Sequence, residues 1–226
     1  MKFFLDSAKI DEIDKAYRCY GIDGVTTNPR HIQNSGKPFL DAINDIAQWI
    51  KDNKLEGMDV FPVSVEINPH LEQAEEMVSA AKKIAKISKN FVIKVPCTLE
   101  GLKAAKELEE SGIRTNVTLV FSPSQAIQAG RINAKYVSPF VGWKEANGED
   151  ARDYMATISN IYHAKGYQTE IIGAAIRTGR EIALMAELDI DIITCGLAVL
   201  EEAFTHPYTE HGLKVFQDAW DHTKGN

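Results

Sequence analysis

Short apolar runs alternate along the chain with longer stretches whose apolar residues recur every three or four positions. The short runs cover residues 3–5, 24–26, 61–67, 90–97, 115–120, 136–140, 169–175 and 190–194. They are rich in β-branched residues and bounded by turn residues, which is the pattern of buried strands in a parallel sheet. Between them the spacing predicts helices. Ile10, Ile13 and Tyr17 share one face, and Phe39, Ile43, Ile46 and Ile50 another; residues 71–87 form a long amphipathic stretch. Start and stop signals agree. Asp6-Ser7 can cap the first helix and Pro38 can open the second. Thr98, Ser122-Pro123 and Thr178 each precede a helical stretch, and Gly21 and Gly112 end one. Residues 142–150 read as a polar loop leading into a helix that ends near Ala164.

Eight strand-then-helix units follow, close to the complement of a (β/α)8 TIM barrel, an α/β fold that typically needs about 250 residues. No linker or charge block divides the chain, so residues 1–226 are expected to form one domain. The competing fold is an open doubly wound sheet, but no strand is followed by GxGxxG or a P-loop. Two helical stretches end the chain, broken at His206-Pro207, and the last, over 212–222, exceeds what eight units require. Its Phe216 and Trp220 leave an apolar face for a neighbouring subunit to cover.

Composition narrows the function. The chain is 44% hydrophobic and 25% charged with a net charge of −7, so neither nucleic acid nor a membrane surface is an expected partner. The N-terminus carries an acid at position six and is no signal peptide. Three widely spaced cysteines give no metal site and fit a reducing cytoplasm.

The stretch 90–97 carries the chemical signal. Three apolar residues lead into Lys94, and burying an ammonium without a partner is costly. Either the side chain reaches the strand end and stays charged, or it loses its proton and becomes an amine nucleophile. The other strand ends bear on the choice, because in a barrel all eight converge on one mouth. They carry Asp6, Thr26, Thr27 and Asn28, then Glu66. Asn116, Thr118, Ser138 and Phe140 follow, with residues 175–177 and Thr194 last. Asp6 alone could be a helix cap and Asn28-Pro29 a turn. Jointly, two acids, an amine and amides at one end suggest a ketone captured as an iminium. One carboxylate would then take a β-hydroxyl proton and the second would act through water. No cofactor or metal is called for. A chelator-sensitive aldolase and a sugar-acid binder without chemistry are the alternatives.

The markers Phe-Leu-Asp at Asp6, Gly-Val-Thr-Thr-Asn-Pro at 24–29, Val-Ser-Val-Glu at Glu66 and Val-Ile-Lys-Val-Pro at Lys94 resemble the transaldolase family. So do Asn-Val-Thr-Leu-Val-Phe-Ser at 116–122 and Val-Ser-Pro-Phe-Val-Gly at 137–142. The likeness is greatest to the short members, which include the fructose-6-phosphate aldolases. It implies a (β/α)8 barrel with Lys94 as the Schiff-base lysine and Asp6 and Glu66 as acid/base groups. It further implies a donor pocket containing Thr26, Thr27, Asn28, Asn116, Thr118, Ser138 and Phe140. Short members are often decamers of pentamers, so the resemblance implies a homo-oligomer. Aldolase members carry glutamine and tyrosine where Glu66 and Phe140 stand, which favours transfer over net cleavage.

This chain departs from the family at the substrate's distal end. The family arginine after Phe-Val-Gly is Trp143 here, and its Ala-Ser-Phe-Arg/Lys is Ala174-Ala175-Ile176-Arg177. Asn-Pro-Ser has become Asn28-Pro29-Arg30-His31. A phosphate carries about −1.5 to −2 at neutral pH, whereas a sulfonate carries a single charge and is more weakly hydrated. Arg30, His31, Trp143 and Arg177 are therefore expected at a distal anion site. The pattern is similar to that of the sulfofructose transaldolases of sulfoquinovose breakdown. The implied substrates are sugar sulfonates or sugar phosphates. The implied reaction moves a dihydroxyacetone unit from 6-deoxy-6-sulfofructose to glyceraldehyde 3-phosphate, giving sulfolactaldehyde and fructose 6-phosphate. The other reading is an ordinary transaldolase or aldolase in which Lys144 replaces the missing arginine.

Overall fold

Strand side chains alternate in direction, and in this chain the two parities feed two different cores. A computed structural model describes residues 1–224. Its strands are β1 (Lys2–Asp6), β2 (Gly24–Thr26), β3 (Val63–Glu66), β4 (Phe91–Pro96), β5 (Thr115–Val120), β6 (Tyr136–Pro139), β7 (Glu170–Ile176) and β8 (Ile192–Cys195). They close in sequence order into a parallel barrel, with β1 paired to both β2 and β8. Closure rules out the open sheet.

Phe4, Val92, Tyr136, Ile172 and Ile192 form a plug of their own. Phe4 and Tyr136 meet edge to face at 5.9 Å. Gly24 makes room for this layer, since a Cβ there would lie 2.8 Å from the Phe4 ring. Residues of opposite parity, among them Leu5, Val25, Val65, Ile93, Val95 and Ile193, join the larger core, which includes helix residues such as Ile13, Ile46, Met77, Leu108 and Ile158. Each such side chain contributes roughly 1.5–3 kcal/mol by leaving water.

The helices are α1 (Ile10–Tyr20), α2 (Pro29–Ser35), α3 (Phe39–Asp52), α4 (Ala74–Ala85), α5 (Leu99–Glu110), α6 (Pro123–Arg131), α7 (Gly142–Ala146), α8 (Ala151–Lys165), α9 (Gly179–Glu187), α10 (Leu197–Ala203) and α11 (Pro207–Asp221). Thr98, Ser122 and Thr178 cap α5, α6 and α9 as their positions predict.

The structure differs from expectation in four places. Asp6 and Ser7 do not cap α1, which starts after Lys9 without a side-chain cap. The Ser7 hydroxyl instead donates to Glu12 at 2.5 Å and accepts from the Lys9 N–H. Residues 29–35 form a helix, because Asn28 is a true N-cap accepting from the His31 N–H, with Pro29 in the first turn. The expected polar loop contains the short α7. The last helix starts at Pro207, five residues earlier than its apolar spacing indicates, with the His206 ring accepting from the Tyr208 N–H. None of its residues is buried, and Phe216 is 73% exposed. Among the described residues no helix is long and apolar enough to cross a membrane.

Two strands are irregular near the mouth. The register of β5 on β6 shifts between Val117 and Val120, and that of β7 on β8 between Gly173 and Ile176. Leu119 and Ala175, inside these bulges, hold left-handed backbone at φ 58° each. Bulges re-aim side chains next to functional sites, and non-glycine residues in this conformation cost energy that surrounding structure must offset.

Candidate active site

Two residues beyond each plug side chain, on the same strand and with the same parity, stands a residue of the barrel mouth. Phe4 leads to Asp6, Val92 to Lys94, Tyr136 to Ser138, Ile172 to Ala174 and Ile192 to Thr194. All five line one cleft of about 600 Å³. The apolar plug thus floors a site whose walls are the next layer up.

Lys94 is 4% exposed. Its Nζ lies 3.2 Å from Glu66 Oε2 and donates to the Thr27 carbonyl at 3.2 Å. Glu66 and Lys94 are direct partners across the parallel β3–β4 pair, which is why their side chains meet. Lys94 is therefore buried with a carboxylate at hand, an arrangement that supplies both a nucleophile and a proton acceptor.

Asp6 is bonded through both oxygens. Thr26 Oγ1 donates to Oδ1 at 2.9 Å, and His31 Nε2 is 3.1 Å from Oδ2. Thr26 Oγ1 is also 2.6 Å from Thr194 Oγ1. A carboxylate only accepts, so Thr26 gives its proton to Asp6 and Thr194 donates to Thr26. Burial alone would raise the Asp6 carboxyl above its usual 3.8. The hydrogen bond and charge of His31, the charge of Lys94 and the Thr26 hydroxyl together outweigh burial and hold it below.

Asn116 is fully buried, accepting from Ser138 at 2.7 Å and donating to Ser64 at 3.0 Å. It fixes Ser138, which faces the cleft, while Asn116 itself does not line it. Thr27 also stays out of the lining, its hydroxyl turned to the Ser64 carbonyl at 2.9 Å. Thr118 does not line the cleft either, and its buried hydroxyl has no partner among the described residues. Thr26 and Asn28 do line it, as does Phe140. The Phe140 ring packs at 5.3 Å on both Phe121 and Trp143.

Arg30, Trp143 and Arg177 line the same cleft. Among the described residues neither guanidinium has a carboxylate within ion-pair distance, so two positive charges line the cleft. Trp143 is 48% exposed. His31 also lines the cleft, and its imidazole meets a partner the sequence did not indicate: Nε2 lies 3.1 Å from Asp6 Oδ2. Lys144 does not line the cleft. It is ion-paired to Glu149 and lies 5.1 Å over the Tyr154 ring, so it does not stand in for the absent arginine.

The strand-end reading gave Thr194 no role, although the two-residue step from Ile192 marks it. It also passed over Asn34, one helical turn after Arg30, and Leu119, which reaches the lining through its bulge. Only α2 and the bulges place these two, and neither has a plain sequence signal. The half-buried Cys97 and the buried Cys195 are poor nucleophiles: burial pushes the Cys97 thiol up to about 11, and burial with the Asp6 charge pushes Cys195 up to about 12.

The chain also resembles known proteins over nearly its full length. The family model described as Transaldolase/Fructose-6-phosphate aldolase matches residues 3–224. The chain is 57% identical over 223 residues to a 6-deoxy-6-sulfo-D-fructose transaldolase of Priestia megaterium, covering 99% of this chain and 96% of the relative. A protein of Priestia aryabhattai with the same description matches equally well. A probable transaldolase of Dictyoglomus turgidum is 43% identical, with 98% of each chain covered.

Proposed function

Because the chain belongs to the transaldolase/fructose-6-phosphate aldolase family, we propose that it is a lysine Schiff-base transaldolase acting on a sulfosugar. It takes a dihydroxyacetone unit from 6-deoxy-6-sulfofructose and passes it to glyceraldehyde 3-phosphate, giving sulfolactaldehyde and fructose 6-phosphate. The observation that carries the chemistry is the buried Lys94–Glu66 contact, in one cleft with Asp6. The 57% identity to sulfofructose transaldolases supports the donor.

The residues divide the work as follows. Lys94 Nζ attacks the ketone carbon of the donor, and Glu66, through a water, supplies the proton that lets hydroxide leave as water. The resulting iminium draws electrons. Asp6 then takes the proton of the C4 hydroxyl, the C3–C4 bond breaks, and its electron pair becomes the enamine on Lys94. Sulfolactaldehyde departs. The enamine carbon attacks the aldehyde of glyceraldehyde 3-phosphate, Asp6 returns its proton to the new alkoxide, and hydrolysis frees fructose 6-phosphate. Thr26, Asn28 and Ser138 hold the dihydroxyacetone oxygens, with Asn116 fixing Ser138 and the Thr27 carbonyl fixing Lys94. Phe140 offers no hydroxyl to activate water against the enamine.

Arg30 and Arg177 receive the distal anion against Trp143. Two arginines without a carboxylate partner among the described residues, beside an indole, suit a weakly hydrated sulfonate leaving as one product and a phosphate arriving with the acceptor. Ordinary transaldolase chemistry is the second reading, favoured by the retained Arg177. Purified enzyme decides between them: it should consume sulfofructose with glyceraldehyde 3-phosphate much faster than fructose 6-phosphate with erythrose 4-phosphate. The reverse preference refutes the sulfosugar assignment, and absence of a borohydride-trapped adduct at Lys94 refutes the Schiff base. The exposed apolar face of α11 supports a homo-oligomer.

A further inference from the structure

His31 is the one cleft residue whose structural partner differs from the role its sequence position suggests. Its place is determined by α2. The Asn28 side chain accepts the His31 backbone N–H at 3.0 Å, pinning the first turn of the helix over the mouth. From there the imidazole reaches Asp6 Oδ2 at 3.1 Å, with both side chains largely buried. The other oxygen is held from the opposite side by the Thr194–Thr26 hydroxyl chain. A carboxylate gripped on both oxygens by donors from β2 and α2 has one orientation.

We propose that His31 is a positioning residue for Asp6: its Nε2–H aims the carboxylate at the hydroxyl of the bond to be broken. This rests on the transaldolase reading above, in which Asp6 accepts the C4 hydroxyl proton as C3–C4 breaks. Asp6 faces other groups too. Lys94 on β4 adds positive charge, Thr26 and Thr194 add hydroxyls, and Cys195 on β8 adds a thiol. Glu66, Arg30 and Arg177 line the same cleft. None of these but Thr26 and His31 bonds the carboxylate directly. Thr26 carries no charge, so among the described residues His31 alone combines a fixed direction with a charge that, when the ring is protonated, favours the base form.

The assignment separates His31 from Arg30, its neighbour in sequence. Arg30 meets substrate charge, and its loss should appear in KM. Loss of His31 should appear in kcat and in the acid limb of the rate profile. The sign follows from the cause: without the imidazole, the Asp6 carboxyl rises, protonates at higher pH and stops accepting protons there.

The test compares wild type, His31→Leu and His31→Gln with sulfofructose as donor and glyceraldehyde 3-phosphate as acceptor, across pH. His31→Leu should lower kcat about 10- to 100-fold, as a misplaced reacting group does, and shift the acid limb of kcat toward neutrality. His31→Gln keeps an N–H donor without the ring's charge. It should recover part of kcat while its acid limb stays shifted. Borohydride with dihydroxyacetone should still modify Lys94 in all three proteins, because imine formation precedes the step Asp6 serves. That adduct also reports that each variant is folded at the site. A raised KM with kcat and the acid limb unchanged would overturn the proposal and return His31 to anion binding. An unmodified Lys94 in wild type would instead refute the Schiff-base reading on which it rests.

Discussion

Gly142→Ala tests how the distal anion site is built. Gly142 opens α7 directly beneath Arg177. A Cβ at this position would lie 2.1 Å from the Ala175 carbonyl oxygen, 3.0 Å from Arg177 Nε and 3.1 Å from Arg177 Cγ. The first distance is far inside van der Waals contact, and its partner is backbone, so the chain must move. Ala175 already holds left-handed backbone in the β7 bulge, and Arg177 follows two residues later. The displacement therefore goes into the arm that carries the guanidinium. Overpacking of this kind costs about 1–3 kcal/mol, which in a chain of this size lowers Tm by roughly 2–12 °C. The functional loss should be larger and selective. A hydrogen bond to a charged group contributes about 1.5–3 kcal/mol, so kcat/KM for an anionic donor should fall by roughly 10- to 150-fold. Unphosphorylated fructose, which has no distal anion, should lose far less. The assay is initial-rate kinetics with both donors, beside thermal unfolding of the same preparation. An equal loss for charged and uncharged donors would refute the reasoning, as would an unchanged kcat/KM for the anionic one.

Two further outcomes are expected. Glu66→Gln removes the carboxylate that lies 3.2 Å from Lys94 Nζ and with it the acid/base group for water. Transfer should slow on the order of 10²-fold while borohydride still traps Lys94; an undiminished transfer rate would take Glu66 out of the chemistry. Phe216→Glu places a charge in the middle of the uncovered face of α11. Sedimentation should show a smaller assembly than wild type, and an unchanged sedimentation coefficient would mean that the assembly does not use this face.

The barrel was legible because it is written in two periods. Apolar runs such as Phe91-Val92-Ile93 and helix faces such as Ile43, Ile46 and Ile50 identify their own elements. The eight-fold repetition then leaves few topologies. The proposed nucleophile was legible for a related reason: Lys94 breaks an apolar strand, and a broken pattern is visible in one dimension. Asp6 was found but misread in part, because an acid before a helix is a cap more often than a base, and only barrel closure shows which way it points. The short α2 was missed because Asn-Pro signals a turn and a helix start equally well. The contact of His31 with Asp6 was missed for the same reason, since it depends on the pose of a seven-residue helix. Leu119 and Asn34 were illegible: a bulge is a mismatch between two strands, and neither strand announces it alone.

That mismatch has an evolutionary corollary. Each bulge takes a residue out of the interstrand ladder without opening the barrel, so β5 and β7 can hand a different side chain to the mouth while the plug of Phe4, Tyr136 and Ile192 stays untouched. Ligand preference and scaffold integrity are then written in separate letters. A lineage could trade one anion for another through a handful of rim changes, with no toll on the cylinder that supports them.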